Sequence, residues 1–145
     1  MAKPKVMVAV RDPGSVESLV ILACQLAHGM DADVTALHVV EVPPVTPLEA
    51  QDEVLDHPGK ELLAQAKRVA EGFSMRLSTD LLRAREVGEA IVGEAKEQGV
   101  ELLVIGHHKP HTHMLSETLL GCTARYVAHH APCRIIVQIP PPQHH

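Results

Sequence analysis

Residues 102–123 read LLVIGHHKPHTHMLSETLLGCT, which is an apolar run, a glycine, a histidine-rich connection and a helix-like segment. A glycine in such a turn lets the backbone pass close to a phosphate, and the backbone amides at the start of a helix attract anions. The stretch therefore predicts the ligand-binding end of an α/β fold and suggests a nucleotide site. The four imidazoles within it suggest other chemistry as well.

Short apolar runs alternate with helical patterns along the rest of the chain. Continuous apolar runs predict buried strands at residues 6–10, 34–40, 101–105 and 133–139, and a poorly alternating run predicts an edge strand at 77–85. These alternations predict a single doubly wound, five-stranded parallel sheet with right-handed crossovers and helices on both faces. At 145 residues the chain is long enough for one domain with its own core.

The helical patterns between these strands predict four helices. The first is capped by Ser15 and ends at His28-Gly29, the third ends at Gly99, and the last is capped by Ser116 and broken by Pro132. Residues 41–59, punctuated by prolines, are predicted as a long connection with at most one helical turn. Helical spacing predicts the inward faces at Leu19, Leu22, Ala23, Leu26, Leu62, Ala66, Val69, Phe73, Ala90, Ile91, Ala95, Leu119, Leu120, Thr123, Tyr126 and Val127.

The composition excludes several classes of protein. Lys and Arg total 13 against 18 Asp and Glu, and with one Phe, one Tyr and no Trp there is no basic field or stacking surface for nucleic acid. No apolar stretch approaches the roughly 20 residues that cross a bilayer, so direct membrane insertion is not expected. Three cysteines without a C-x-x-C pair, and a start without a signal-peptide apolar region, predict a cytoplasmic protein.

The sequence carries no recognised catalytic motif. There is no Gly-x-Ser-x-Gly elbow, no Gly-x-x-x-x-Gly-Lys phosphate loop and no His-Glu-x-x-His helix, and nothing pairs Asp12, Asp52 or Glu117 with a base. We therefore expect no enzyme, with ATP hydrolysis at most slow and incidental.

Three segments closely resemble the universal stress protein family. They read LLVIG at 102–106, LLGCT at 119–123 and HAPCRIIV at 130–137. The resemblance spans essentially the whole chain and implies a regulatory or sensory stress-response domain at residues 1–139, followed by a Pro/His-rich tail at 140–145. It also implies the strand order 3-2-1-4-5, with a crevice at the carboxyl ends of strands 1 and 4.

Members of this family that bind ATP hold adenine and ribose against strands 1 and 2 and wrap the phosphates with a glycine motif. Gly106 and Gly121 match the first and last glycines of that motif, whereas Lys109 replaces the middle glycine and the spacing that follows is longer. Cys122 replaces the Ser or Thr after the last glycine, and Thr123 comes next. The Lys109 side chain either obstructs the phosphates or contributes a charge to them.

The position after strand 1 also departs from the family pattern. An aspartate that contacts the ribose is usual there, but Arg11 takes its place and Asp12 is the nearest acid. This pattern is similar to universal stress domains attached to amino-acid permeases and cation/proton antiporters. The resemblance therefore favours a membrane transporter as a partner.

The resemblance implies an adenine nucleotide, ATP or an AMP-like molecule, as the ligand. The residues expected at the base and ribose end are Ala9, Val10, Asp12 and Val39. Those expected to take the phosphate end through backbone amides and charge are Gly106, His108, Lys109, Gly121, Cys122 and Thr123. The family also implies a homodimer through the fifth strand, at residues 134–139.

Two alternatives stay open. In the first, the protein is a nucleotide-independent interaction domain, for example a transporter-associated one, with a degenerate phosphate loop that closes the pocket. In the second, His107, His111 and His113 bind zinc or another first-row metal, since imidazoles a few residues apart on a loop can converge on one ion. Adjacent histidines seldom ligate the same ion, however, and a solvated loop is the simpler explanation.

Overall fold

The computed structural model describes residues 3–50, 52–107 and 121–139, and within them the chain alternates between strand and helix. The strands are β1 (Lys5–Ala9), β2 (Asp33–Glu41), β3 (Leu77–Ala84), β4 (Leu102–Gly106) and β5 (Arg134–Gln138). The helices are α1 (Pro13–Met30), α2 (Glu53–Glu71), α3 (Val87–Gln98) and α4 (Cys122–His130).

The strands pair in parallel, in the order β3-β2-β1-β4-β5. Val8 of β1 lies opposite Ala36 of β2 and Val104 of β4, and Val104 lies opposite Ile136 of β5. The predicted fold class and strand order are confirmed, and so is the position of β3 at an edge of the sheet.

The sheet separates two apolar clusters. The α1/α2 cluster contains Leu19 of α1 and Leu62 of α2, and the α3/α4 cluster contains Ile91 of α3 and Val127 of α4. Alternate residues of β1 point to the two sides, so the strand is buried on both faces, as its continuous apolar run predicts. Helices therefore cover both faces of the sheet.

The first helix begins and ends at different residues from those predicted. Asp12, not Ser15, is its N-cap, because the Asp12 carboxylate accepts the N–H of Gly14 at 3.3 Å. At the other end the helix runs past Gly29, and Asp31 caps it in the left-handed conformation with a φ of 54°. Aspartate tolerates that conformation better than most residues, so it takes the place that the prediction gave to glycine.

The connection predicted at 41–59 is too long, because α2 begins well before residue 59. Asp52 caps the helix by accepting two backbone N–H groups, the nearer one from Val54 at 3.1 Å. Pro58 lies inside the helix, and the prediction was wrong to treat it as part of the connection. Phe73, predicted on the inward face, lies beyond the end of α2 and is exposed.

The last helix begins at Cys122, after the extended N-cap residue Gly121, and not after Ser116 as predicted. Of the described residues that were predicted on the inward face of this helix, Val127 is buried, and Thr123 and Tyr126 are half-buried. No helix within the described ranges combines the length and the apolar character needed to cross a membrane. The predicted features that fall outside the described residues are Ser116, Leu119, Leu120 and the tail at 140–145.

Candidate functional site

β1 and β4 lie side by side in the middle of the sheet, and the helices that follow them pack on opposite faces. α1, after β1, belongs to the α1/α2 cluster, whereas α4, the next described helix after β4, belongs to the α3/α4 cluster. In open parallel sheets a crevice forms where neighbouring strands diverge in this way. Ala9 pairs with Ile105 at this end, so the carboxyl ends of β1 and β4 form the candidate site.

The residues predicted at the base end fall on two sides of the sheet. Ala9 and Val39 pack with Ile105 in the α3/α4 cluster and form an apolar wall near the carboxyl ends of three adjacent strands. Val10 belongs to the α1/α2 cluster and is only 2% exposed. Ala9 and Val39 thus lie on the α3/α4 face of the sheet, whereas the Val10 side chain packs on the α1/α2 face.

The main chain at Val10 is held by β2. The Val10 N–H donates to the Leu37 carbonyl at 2.9 Å, and the Val10 carbonyl accepts from His38 Nδ1 at 2.8 Å. Because a carbonyl oxygen only accepts, Nδ1 of His38 carries the proton. A Cβ at Gly59 of α2 would lie 2.5 Å from His38 Cδ2, so the helix presses directly on this ring. His38 was not predicted as a site residue, and its only local signal is a histidine inside an apolar strand.

Gly106 lies at the end of β4 as predicted, but its small size has a packing reason. A Cβ there would lie 3.2 Å from Leu19 Cδ1 of α1, which is closer than most contacts that Cβ atoms make in proteins. Gly106 is not among the described residues that have a positive φ. Contact with α1 is therefore sufficient to explain this glycine.

His107, predicted as a metal ligand, is only 8% exposed and makes two hydrogen bonds to other described residues. Its backbone N–H donates to the Gln138 carbonyl of β5 at 2.9 Å, and its Nδ1 accepts the N–H of Gly121 at 3.3 Å. Nδ1 therefore carries no proton and is not free for a metal. The same bond engages the Gly121 amide, which was expected to bind phosphate.

The first turn of α4 contains two further residues expected at the phosphate end. The first helical hydrogen bond runs from the Arg125 N–H to the Gly121 carbonyl at 2.9 Å, so the amides of Cys122 and Thr123 precede helical pairing. The Cys122 side chain is exposed and that of Thr123 is half-buried. Amides in this position favour an anion, because the helix dipole adds to their own partial charge.

Arg11 spans the crevice from the β1 side. Its Nη1 donates to Thr123 Oγ1 at 3.5 Å, which joins the residue after β1 to the first turn of α4. The neighbouring Asp12, expected near the ribose, caps α1 through its bond to Gly14 and so has a structural role. Arg11 departs from the family pattern, but no role was predicted for it.

Four of the predicted residues, His108, Lys109, His111 and His113, lie outside the described residues. Across residues 3–50, 52–107 and 121–139, no group of three or more His, Cys, Asp or Glu side chains could hold a metal ion. The predicted metal centre therefore finds no support in that part of the chain.

The amino ends of the strands form a polar cavity of about 410 Å³ that was not predicted from the sequence. Its lining includes Lys5, Asp80 and Gln98, and Gln98 Nε2 donates to Asp80 Oδ2 at 3.0 Å. A hydrogen bond with the Asp80 side chain, followed by burial and by the negative charge of Asp80, raises the pKa of Glu94 to about 7. Asp80 lies in the middle of β3, in register with Leu37 of β2.

The chain is similar to known proteins along nearly its whole length. The family model described as the universal stress protein family matches residues 4–138. A universal stress protein of Methanocaldococcus jannaschii is 31% identical over 121 residues, which are 79% of this chain and 69% of that protein.

Two solved structures share the fold and name a ligand. The universal stress protein from Archaeoglobus fulgidus in complex with dAMP has a TM-score of 0.74 at 22% identity, and the match covers 94% of this chain and 98% of that one. A universal stress protein family protein from Arabidopsis thaliana with AMP bound has a TM-score of 0.66 at 19% identity, covering 94% and 91% of the two chains. The family match over residues 4–138, together with the shared five-stranded fold, shows that this chain belongs to the universal stress protein family.

Proposed function

We propose that this chain is a regulatory module that binds an adenine nucleotide, AMP or ATP, in the crevice between β1 and β4. The main support for the proposal is that the first turn of α4 lies close to the end of β1. The 3.5 Å hydrogen bond from Arg11 to Thr123 joins these two segments. Two proteins with the same fold support the choice of ligand, because one was solved with dAMP and the other with AMP.

The two ends of the crevice fit the two ends of a nucleotide. Ala9 and Val39 supply an apolar wall that a purine base can cover, with burial of apolar surface as the driving force. The amides of Cys122 and Thr123, with the Arg11 guanidinium nearby, supply positive charge for a phosphate. Base and phosphate are therefore held by different forces, and each can be removed separately.

Isothermal titration of the full chain with AMP, ATP and GMP tests this proposal. We expect the adenine nucleotides to bind and to raise the melting temperature. Thr123→Glu places a negative charge in the first turn of α4, where the helix tolerates it but a phosphate is repelled, so AMP affinity falls by at least about tenfold. Arg125→Gln, an exposed change on the same helix, is the matched control and leaves AMP binding unchanged.

The proposal fails if millimolar AMP and ATP give no heat and no shift in melting temperature with the wild-type chain. It also fails if Thr123→Glu binds AMP as tightly as the wild type does. Circular dichroism of each variant shows whether α4 and the sheet remain folded.

Binding rather than catalysis is part of the proposal, and we place the protein in the cytoplasm. Cys24, Cys122 and Cys133 are free thiols, which supports a reducing compartment. We expect phosphate release from ATP to be no faster with the purified chain than with the Thr123→Glu variant. Faster release by the wild-type chain would contradict the non-enzymatic assignment.

A second candidate function is a nucleotide-independent interaction domain, and two observations favour it. His107 engages the Gly121 amide, and packing against Leu19 accounts for Gly106 without a phosphate. The partner in that case is another macromolecule, such as a membrane transporter. This function predicts that AMP and ATP leave the melting temperature unchanged, so the titration above separates the two candidates.

We also propose a homodimer formed through β5. β5 is an edge strand, and the side chains of Ile135, Ile136 and Val137 stay half-buried in the single chain. An apolar strand edge of this kind favours pairing with a second copy. Analytical ultracentrifugation should give twice the 15.7 kDa mass of one chain, and a monomer at every concentration contradicts the proposal.

A further inference from the structure

Arg11 is a charged side chain that lies at the carboxyl end of β1, beside the crevice. It follows β1 directly, is exposed, and donates to the Thr123 hydroxyl at 3.5 Å. The ion pairs found within the described ranges, for example Arg83 with Asp56, do not include Arg11. Within those ranges, the hydrogen-bond acceptor for this guanidinium is a neutral hydroxyl.

The bond from Arg11 to Thr123 uses little of what a guanidinium can offer. Arginine presents five N–H donors in a planar fork that matches the oxygens of a phosphate, and a bidentate pair with an anion adds a second bond and charge attraction to what a neutral hydroxyl offers. The bond in this structure uses one nitrogen at the long end of the hydrogen-bond range. A stronger acceptor placed in the crevice will replace the hydroxyl.

The position of the bond from Arg11 to Thr123 means that neutral and anionic ligands affect it differently. Because it joins the two walls of the crevice, a guest that enters between them displaces it or contacts it. A neutral ligand that enters the crevice breaks the bond from Arg11 to Thr123 and supplies no acceptor of comparable strength for the guanidinium. An anionic ligand replaces the bond to Thr123 with a stronger bond to the guanidinium, so Arg11 favours ligands that carry negative charge.

We propose that Arg11 determines specificity at this site by selecting a nucleotide that carries a phosphate over the corresponding nucleoside. The phosphate oxygens take the place of the Thr123 hydroxyl as acceptors for the guanidinium. This inference rests on the proposed function, and it assigns the discrimination to a residue that was absent from the predicted site. The phosphate then lies between Arg11 and the first turn of α4.

Titration calorimetry with AMP and with adenosine measures this selectivity. We expect the wild-type chain to bind AMP more tightly than adenosine. Arg11→Gln weakens AMP binding by about 10-fold to 100-fold, as expected for loss of a charge-assisted hydrogen bond, and changes adenosine affinity by less than about twofold. Arg11→Lys keeps the charge without the planar fork and gives an intermediate AMP affinity. Arg125→Gln removes the same charge from α4 and leaves the ratio of AMP to adenosine affinity unchanged.

A purely structural role for the bridge predicts different data. Loss of the bridge then weakens AMP and adenosine binding by the same factor, and the salt dependence of binding does not change. Our assignment predicts that added KCl weakens AMP binding to the wild-type chain and has much less effect on Arg11→Gln.

Equal wild-type affinities for AMP and adenosine, or equal weakening of both in Arg11→Gln, overturn the role of Arg11 and leave nucleotide binding in place. If neither AMP nor adenosine binds the wild-type chain at millimolar concentration, the proposed function fails and this inference fails with it.

Discussion

Replacing Gly59 with alanine tests the contact between α2 and the support of the crevice. In a helix interior this change usually stabilises a protein by about 0.5–1 kcal/mol, because alanine loses less backbone entropy on folding. At Gly59 the added Cβ lies 2.5 Å from His38 Cδ2 and 2.9 Å from Leu81 Cδ1. The His38 ring cannot move freely, because its Nδ1 donates to the Val10 carbonyl at 2.8 Å. Overpacking costs about 1–3 kcal/mol, so the free energy of unfolding falls by up to about 2.5 kcal/mol and does not rise.

Gly93→Ala is the matched control, because nothing lies within 4 Å of a Cβ at that position in α3. Urea titrations should show Gly93→Ala more stable than the wild type by about 0.5–1 kcal/mol, and Gly59→Ala less stable than Gly93→Ala by about 1–3 kcal/mol. In a His38→Ala background the penalty at Gly59 should shrink, since the ring that the Cβ meets is gone. If Gly59→Ala is as stable as Gly93→Ala, the reasoning about this contact is refuted.

Charge and thiol chemistry give three other tests. The pKa of Glu94 is raised to about 7 from its ordinary 4.5, so the folded state holds more protons in that pH window and stability falls as pH rises through it. The loss is about 1 kcal/mol after solvent screening, Glu94→Gln removes it in urea titrations, and a slope that persists contradicts the assignment. Arg83 donates from Nε to Asp56 Oδ1 at 3.1 Å, and Arg83→Met leaves that carboxylate, 3% exposed, without its partner. Calorimetry should show a lower melting temperature than that of the wild type, and an unchanged melting temperature would mean that the pair adds little. Iodoacetamide should alkylate the exposed Cys122 well before Cys24, whose thiol pKa is raised by burial, and equal rates in peptide mass spectrometry would contradict this order.

The order of strands and helices could be predicted because each element carries a local signal. β1 and β4 are continuous apolar runs, as strands covered on both faces are. The start of α2 could not be predicted, because Pro58 is a helix breaker by local rules. Asp52 caps the turn before it, and Arg83 of β3 pairs with Asp56 in the same part of the helix. A contact from a distant strand thus stabilises a segment that the local pattern assigns to a connection.

The candidate site could be predicted in place but not in its contacts. The resemblance to the family implies a crevice at the carboxyl ends of β1 and β4, and Ala9, Gly106 and Thr123 lie near those strand ends. The partner of His107 lies 14 residues along the chain, and the partner of His38 lies 28 residues back. Such pairs form only when the sheet brings them together, so spacing in the sequence carries no trace of them.

The division of the core by the sheet has a consequence for how this protein can change. Leu19 and Ile91 lie in different clusters, so the effects of substituting both on the free energy of unfolding should add to within about 0.5 kcal/mol. The sheet acts as a partition between two compartments whose packing is independent. Ala9 and Val39 belong to the α3/α4 cluster only. Substitutions at these two positions can therefore change the ligand that the apolar wall binds while the packing of the α1/α2 cluster stays intact.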